Sequence, residues 1–302
     1  MKNTPLKYRL NVIGGGLIIF ICIRTYVPML AQSIGLRDNF NTWLITYMVT
    51  LAAACIMPVA FIEKMCDFHP VLFEKKRLEP VHGAMILEGM LIFILLAIAN
   101  SLVLGALGKM GISFPPQSLE KVDSRVTLLL YFIFSAVIPA IFEELFIRGI
   151  VVNLLLPNGR RFAILASAVL FTVMHTQVQT FIPVFGAGVV LACIYLYTGN
   201  IFASMALHFV NNAYSFIMMY MQQSVNGISA MGFYAFVMAV LIVGGGSSRV
   251  YLNRNNINIF DCLKKEGKNA TISKFFSCPV LVLGLLCCGM AICTQLYADL
   301  VM

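Results

Sequence analysis

VTLLLYFIFSAVIPAIFEELFIRGIVVNLLL, residues 126–156, is an apolar run of about 31 residues, longer than the roughly 20 needed to cross a bilayer. Glu143, Glu144 and Arg148 interrupt it. Ionisable groups at membrane depth are costly and mark function by default. Two further apolar runs carry polar groups of the same kind, Phe171 with His175 and His208 with Asn212.

Working outward from this run, apolar segments of spanning length recur from end to end. The chain has 302 residues, 60% hydrophobic and 11% charged, with a mean hydropathy of +0.89. That composition excludes an ordinary soluble domain and predicts an all-α, polytopic helical integral membrane protein. A β-barrel would show short alternating segments. Windows of ~19 residues give about nine spans, near 12–34, 41–62, 81–107, 126–156, 162–178, 181–197, 200–221, 231–246 and 278–297. The short connection at Thr180–Pro183 leaves eight spans and one broken or re-entrant segment as the alternative. The first run, from Val12 to Leu30, is followed by more spans and reads as a span, not a cleavable signal.

Three regions follow: N-terminal spans at 1–124 with a basic loop near 63–80, a motif-bearing core at 125–221, and C-terminal spans at 222–302 with a basic loop near 247–277. Lys and Arg crowd the segments on the N-terminal side, whereas the opposite side holds Arg37, Lys109, Lys121 and Arg125. This bias predicts a cytoplasmic N-terminus. The net charge of +8 is then a match to anionic lipid rather than to nucleic acid. A glycosylation sequon at Asn269 falls on the cytoplasmic side and is discounted. The nine cysteines lack CxxC or zinc-finger spacing and read as small packing residues.

Depth unites the three polar stretches. Glu143 and His175 each lie about 13 residues, roughly 20 Å, from the cytoplasmic ends of their spans. His208 and Asn212 lie about 8 and 12 residues deep, roughly 12–18 Å. Pro139, one turn before Glu143, removes a helical hydrogen bond and predicts a kink beside the glutamates. Residues four apart share a helix face, which pairs Glu144 with Arg148. Glu143 is turned about 100° away and is left as the working base.

Two chemistries fit. Glu143 and His175 could activate a water while His208 and Asn212 stabilise an oxyanion. Alternatively Glu143, His175 and His208 could ligate a divalent metal such as zinc. There is no HExxH and no GxSxG motif. Arg24, the other cation inside a run, would snorkel or pair with Glu88. Gly14–Gly16 and Gly244–Gly246 read as packing glycines.

Together Glu143-Glu144-x-x-x-Arg148, Phe171-x-x-x-His175 and His208-x-x-x-Asn212 resemble the three motifs of the CAAX protease and bacteriocin-processing family, intramembrane endopeptidases related to type II CAAX prenyl proteases. The resemblance covers roughly residues 125–220. It implies Glu143 and His175 as the water-activating pair, and His208 and Asn212 as oxyanion stabilisers. Glu144, Arg148 and Phe171 would support the site. It implies a site opening towards the cytoplasm and membrane-associated peptides or proteins as substrates. A metal-free glutamate protease and a metalloprotease map onto the same residues. A bacterial plasma membrane is the expected location. Competing readings are a non-catalytic scaffold or bacteriocin-immunity protein on the same fold, and a proton-coupled transporter. The transporter would show repeat symmetry, which is not evident in the sequence.

Overall fold

The computed structural model describes residues 4–70, 79–112, 114, 122, 124–224, 227–264 and 273–301. The central parts of both basic loops, and with them Asn269, lie outside the described residues. Among the described residues nine long helices follow one another: α1 (Leu6–Ser33), α2 (Phe40–Cys66), α3 (Pro80–Lys109), α4 (Arg125–Asn158), α5 (Arg160–Met174), α6 (Phe181–Thr198), α7 (Ile201–Ser224), α8 (Gly227–Arg254) and α9 (Pro279–Val301). Among the described residues there is no strand. The chain is an all-helical, polytopic integral membrane protein.

The nine helices occupy the nine predicted segments, but seven have the length and apolarity of a bilayer crossing. The other two are α5 and α7, which carry the second and third motifs. At 15 residues α5 is about 22 Å long, short of a ~30 Å hydrocarbon core. A helix this short does not cross by itself, in keeping with the broken-segment alternative. Helix α7 has 24 residues, but His208, Asn211, Asn212, Gln222 and Gln223 dilute its apolarity.

Successive helices alternate in direction. One face of the bundle gathers the starts of α1 and α9, joined where the Asn11 side chain accepts from the Val280 amide (3.0 Å). Arg9 is buried at the same face, donating to the carbonyl of Leu154 near the end of α4 (3.1 Å). The basic segments cluster here, and this is called the basic face below. Helices α1 and α9 cross so closely that a Cβ on Gly14 would strike the Leu281 backbone, and a Cβ on Gly245 of α8 would strike Leu91 of α3. The expectation of packing glycines holds at both positions. One apolar core joins α1, α2, α4, α5, α6 and α9; a second joins α3, α6, α7 and α8.

Local chemistry sets the helix ends. Asn39 and Ser124 cap α2 and α4 by accepting from the amides of Thr42 (3.1 Å) and Thr127 (3.0 Å). Gly199 ends α6 at φ +61°, where a residue without Cβ is favoured. In α4 the predicted disturbance at Pro139 takes the form of a widened, π-helical turn over Ile133–Val137. Pro139 has no N–H to donate to the Ser135 carbonyl, and within the widened turn the Ser135 hydroxyl donates to the Tyr131 carbonyl (2.8 Å). A second π stretch, Leu145–Val152, follows Glu144 directly. Its loosened carbonyls are met by Asn153, whose amide donates to Gly149 (2.9 Å) and to the Tyr195 hydroxyl (2.6 Å).

Candidate active site

Glu144 and Arg148 are completely buried and bonded to each other at 2.8 Å, as the four-residue spacing predicts. The structure adds partners that the spacing does not reveal. Arg148 Nη2 donates to the Gly188 carbonyl of α6 (3.0 Å), and its guanidinium lies over the Phe171 ring at 4.6 Å. Glu144 Oε1 also accepts from His208 Nδ1 (2.9 Å). One carboxylate therefore joins α4 to α7, and one arginine joins α4 to α5 and α6. Such bonds offset part of the cost of burying an ion pair; Glu144 Oε2 and Arg148 Nε have no hydrogen-bond partner among the described residues.

His175 owes its position to the end of α5. The helix stops as His175 N turns to the Thr172 carbonyl (3.2 Å), freeing the Phe171 carbonyl for the His175 ring, Nδ1 to O at 2.8 Å. Thr176 follows at φ +55°, a left-handed conformation that a β-branched residue resists. Such strain concentrates at functional sites. The chain from His175 to Gln177 leaves the helix, and a 3₁₀ turn at Val178–Thr180 leads into α6; irregular backbone between apolar helices must be satisfied internally or line a wet cavity. Asn100 of α3 meets part of that demand by donating to the Gln179 carbonyl (2.9 Å).

Glu143 completes the arrangement. Its Oε2 is buried, without a hydrogen-bond partner, and lies 3.9 Å from Nε2 of both His175 and His208. The tautomers follow from the partners. A carbonyl only accepts, so His175 carries its proton on Nδ1. An ion-paired carboxylate does the same for His208. In the neutral rings both Nε2 atoms present lone pairs towards Glu143. Phe171 wedges its ring against both imidazoles, at 4.6 and 5.9 Å, and holds their planes.

Glu143, Glu144, Arg148, Phe171, His175 and His208 are thus brought together. Asn212 is not. It lies half-buried one turn beyond His208, and its one side-chain hydrogen bond among the described residues is with Asn211 (3.3 Å). Among the described residues no group of three or more His, Cys, Asp or Glu is drawn together at the spacing of an assembled metal centre.

Glu143 and His175 open into a cavity of about 510 Å³ whose wall includes Arg24, Tyr47, Gln177 and Gln295. Arg24 does not pair with Glu88, contrary to one sequence expectation. Glu88 is taken by Arg249 of α8 at 2.6 Å, and the Arg24 guanidinium lies over the Tyr47 ring at 5.4 Å. The α1, α2 and α9 parts of the wall come from the halves of those helices remote from the basic face. A second cavity, about 380 Å³, shares Arg24 and Tyr47 and continues away from that face to Arg37. A cytoplasmic N-terminus and a site open to the cytoplasm, both expected from the sequence, therefore do not fit together.

No curated protein and no solved structure matches the chain. A protein-family model described as type II CAAX prenyl endopeptidase Rce1-like matches residues 125–214. That stretch, under a third of the chain, contains all seven motif residues, and over it the chain is similar to the type II CAAX prenyl endopeptidases that its motifs resemble.

Proposed function

We propose that the chain is an intramembrane endopeptidase of a bacterial plasma membrane, hydrolysing peptide bonds of membrane-associated peptides or proteins. The observation that carries this reading is the convergence of Glu143 Oε2 with two imidazole nitrogens at 3.9 Å, beside a cavity. That spacing is too long for a direct hydrogen bond and suits one bridging water.

Glu143 accepts a proton from that water while His175 Nε2 holds its other hydrogen. The water oxygen bonds to the scissile carbonyl carbon, and the carbonyl oxygen takes up the charge. His208 meets this oxyanion from Nε2 once a proton from solvent in the cavity has been added to that nitrogen, with Glu144 balancing the charge through Nδ1. The carbon–nitrogen bond then breaks as the proton held by Glu143 passes to the leaving amine. Asn212 contributes a second donor only after its side chain swings from Asn211 towards the site. Glu144, Arg148 and Phe171 position the acting groups without touching the reacting atoms.

The donor types, though not their spacing in this structure, also suit a divalent metal such as zinc. Both Nδ1 atoms are engaged by acceptors, the usual arrangement behind metal-ligating histidines. Glu143, His175 and His208 would hold the ion, and it would supply Lewis-acid activation of the water. A chelator separates the two cases: the metal-free mechanism predicts unchanged cleavage after exhaustive chelation, and the metal-assisted one predicts loss restored by zinc. The proteolytic reading itself is tested by comparing membrane-peptide fragments from cells making the wild type or an equal amount of Glu143→Gln. Fragments confined to the wild type support it and name a substrate. Identical fragments, with both proteins inserted, favour a scaffold.

A further inference from the structure

Arg24 has no place in the mechanism above, yet it faces the cavity of Glu143 and His175. It lies within the apolar helix α1 and is half-buried. No carboxylate among the described residues lies within ion-pair distance of it. The carboxylate that might have neutralised it, Glu88, is bound by Arg249. A cation at membrane depth is expensive unless it snorkels, pairs or serves a ligand. Arg24 lies over the Tyr47 ring at 5.4 Å, a contact that leaves the in-plane N–H fork free to donate. It also stands in the wall common to both cavities, between Glu143 and the opening towards Arg37. Arg37 in turn lies over Trp43 at 5.9 Å, so positive charge continues along the route.

We propose that Arg24 is a specificity-determining residue that binds a carboxylate of the peptide substrate while the scissile bond lies against Glu143. The inference rests on the protease reading. A guanidinium and a carboxylate match as two parallel charge-assisted hydrogen bonds, and such a bond fixes register as well as affinity. The carboxylate is either the free C-terminus of the substrate or an Asp or Glu side chain a short, fixed distance from the cleaved bond. Arg24 touches neither the water nor the scissile carbonyl in this scheme, and its loss leaves the hydrolytic groups intact.

The test uses the full chain in lipid nanodiscs and a pool of synthetic peptides of mixed sequence. The pool is offered with free C-termini, as C-terminal amides, and as amides with every Asp and Glu replaced by Asn and Gln. Cleavage positions and rates are read by mass spectrometry for wild type, Arg24→Gln, Arg24→Lys and Glu143→Gln. In the wild type a carboxylate at one fixed offset should favour cleavage by about 10- to 100-fold, the range for a charge-assisted hydrogen bond. Loss on amidation identifies the C-terminus; loss only on side-chain replacement identifies Asp or Glu. Arg24→Gln should show no offset preference, cleaving peptides with and without the carboxylate at equal rates to each other, and Arg24→Lys should keep part of the preference. A wild type indifferent to carboxylates, or an Arg24→Gln with undiminished preference, overturns the assignment while leaving the protease reading intact. Absence of cleavage by the wild type above Glu143→Gln overturns both.

Discussion

Glu143 and Glu144 are neighbours in sequence with opposite circumstances. Glu144 is bonded through Oε1 to Arg148 and His208, whereas Glu143 presents an unbonded oxygen to two imidazoles at the cavity wall. Substitutions at the two positions should therefore fail differently. Glu143→Gln keeps size and removes the base, so cleavage should fall about 10²- to 10⁴-fold with insertion and folded yield unchanged. Arg148→Ala leaves a buried carboxylate without its cation and should cost about 3–5 kcal/mol, read as lost folded yield or a lower Tm in detergent. A Glu143→Gln variant of full activity would move the base elsewhere. The Glu144–Arg148 pair was legible because i, i+4 contacts follow from helix geometry alone. The Glu144–His208 bond and the placement of Arg148 over Phe171 were not legible, since both depend on how separate helices pack. Asn212 shows the converse. Its spacing from His208 is right, but one rotation of the side chain separates a candidate donor from a bystander.

At the scale of elements, the decisive feature is that α5 stops. The apolar run from Phe162 meets a short polar stretch at His175–Thr180, which a ~19-residue window averages over, so His175 is placed inside a span. The fold instead ends the helix at Met174 and turns the chain within the membrane, using a left-handed Thr176. No apolar average reveals that turn. Replacing Thr176 with Gly, which adopts φ +55° freely, relieves strain of about 1–3 kcal/mol but adds backbone freedom to the unfolded chain. A modest rise in Tm is expected. The variant should lose activity only to the extent that the turn loosens His175. The α5–α6 contact is equally local. A Cβ at Gly188 would press on the backbone of Ala168 and the ring of Phe171, and the Gly188 carbonyl holds Arg148. Gly188→Val should therefore lower both stability and activity, whereas Gly105→Val, with open space around it, should leave both near wild type. Equal behaviour of these two variants would mean that the α4–α5–α6 contact does not set the site.

At the scale of the molecule, composition was enough for an all-helical membrane bundle, and helix order followed from apolar segments read one by one. Sidedness of the site did not follow. The charge bias predicts a cytoplasmic N-terminal face, but the depth of Glu143 along α4 does not say which way its cavity drains. The packing of α1, α2 and α9 leads it away from that face. With the N-terminus cytoplasmic, a polar, membrane-impermeant thiol reagent should reach Gln295→Cys, in a background otherwise free of cysteine, from outside intact cells. Labelling only after the inner face is exposed would place the cavity mouth on the cytoplasmic side instead.

The central claim is that Glu143 activates water to cleave peptide bonds in the membrane. Its most direct test is to incubate isolated membranes holding wild type or Glu143→Gln in H₂¹⁸O and sequence the peptide products. The account predicts new C-terminal carboxylates carrying one ¹⁸O with the wild type and none with the variant. The same labelled products in equal amount from both membranes would contradict it.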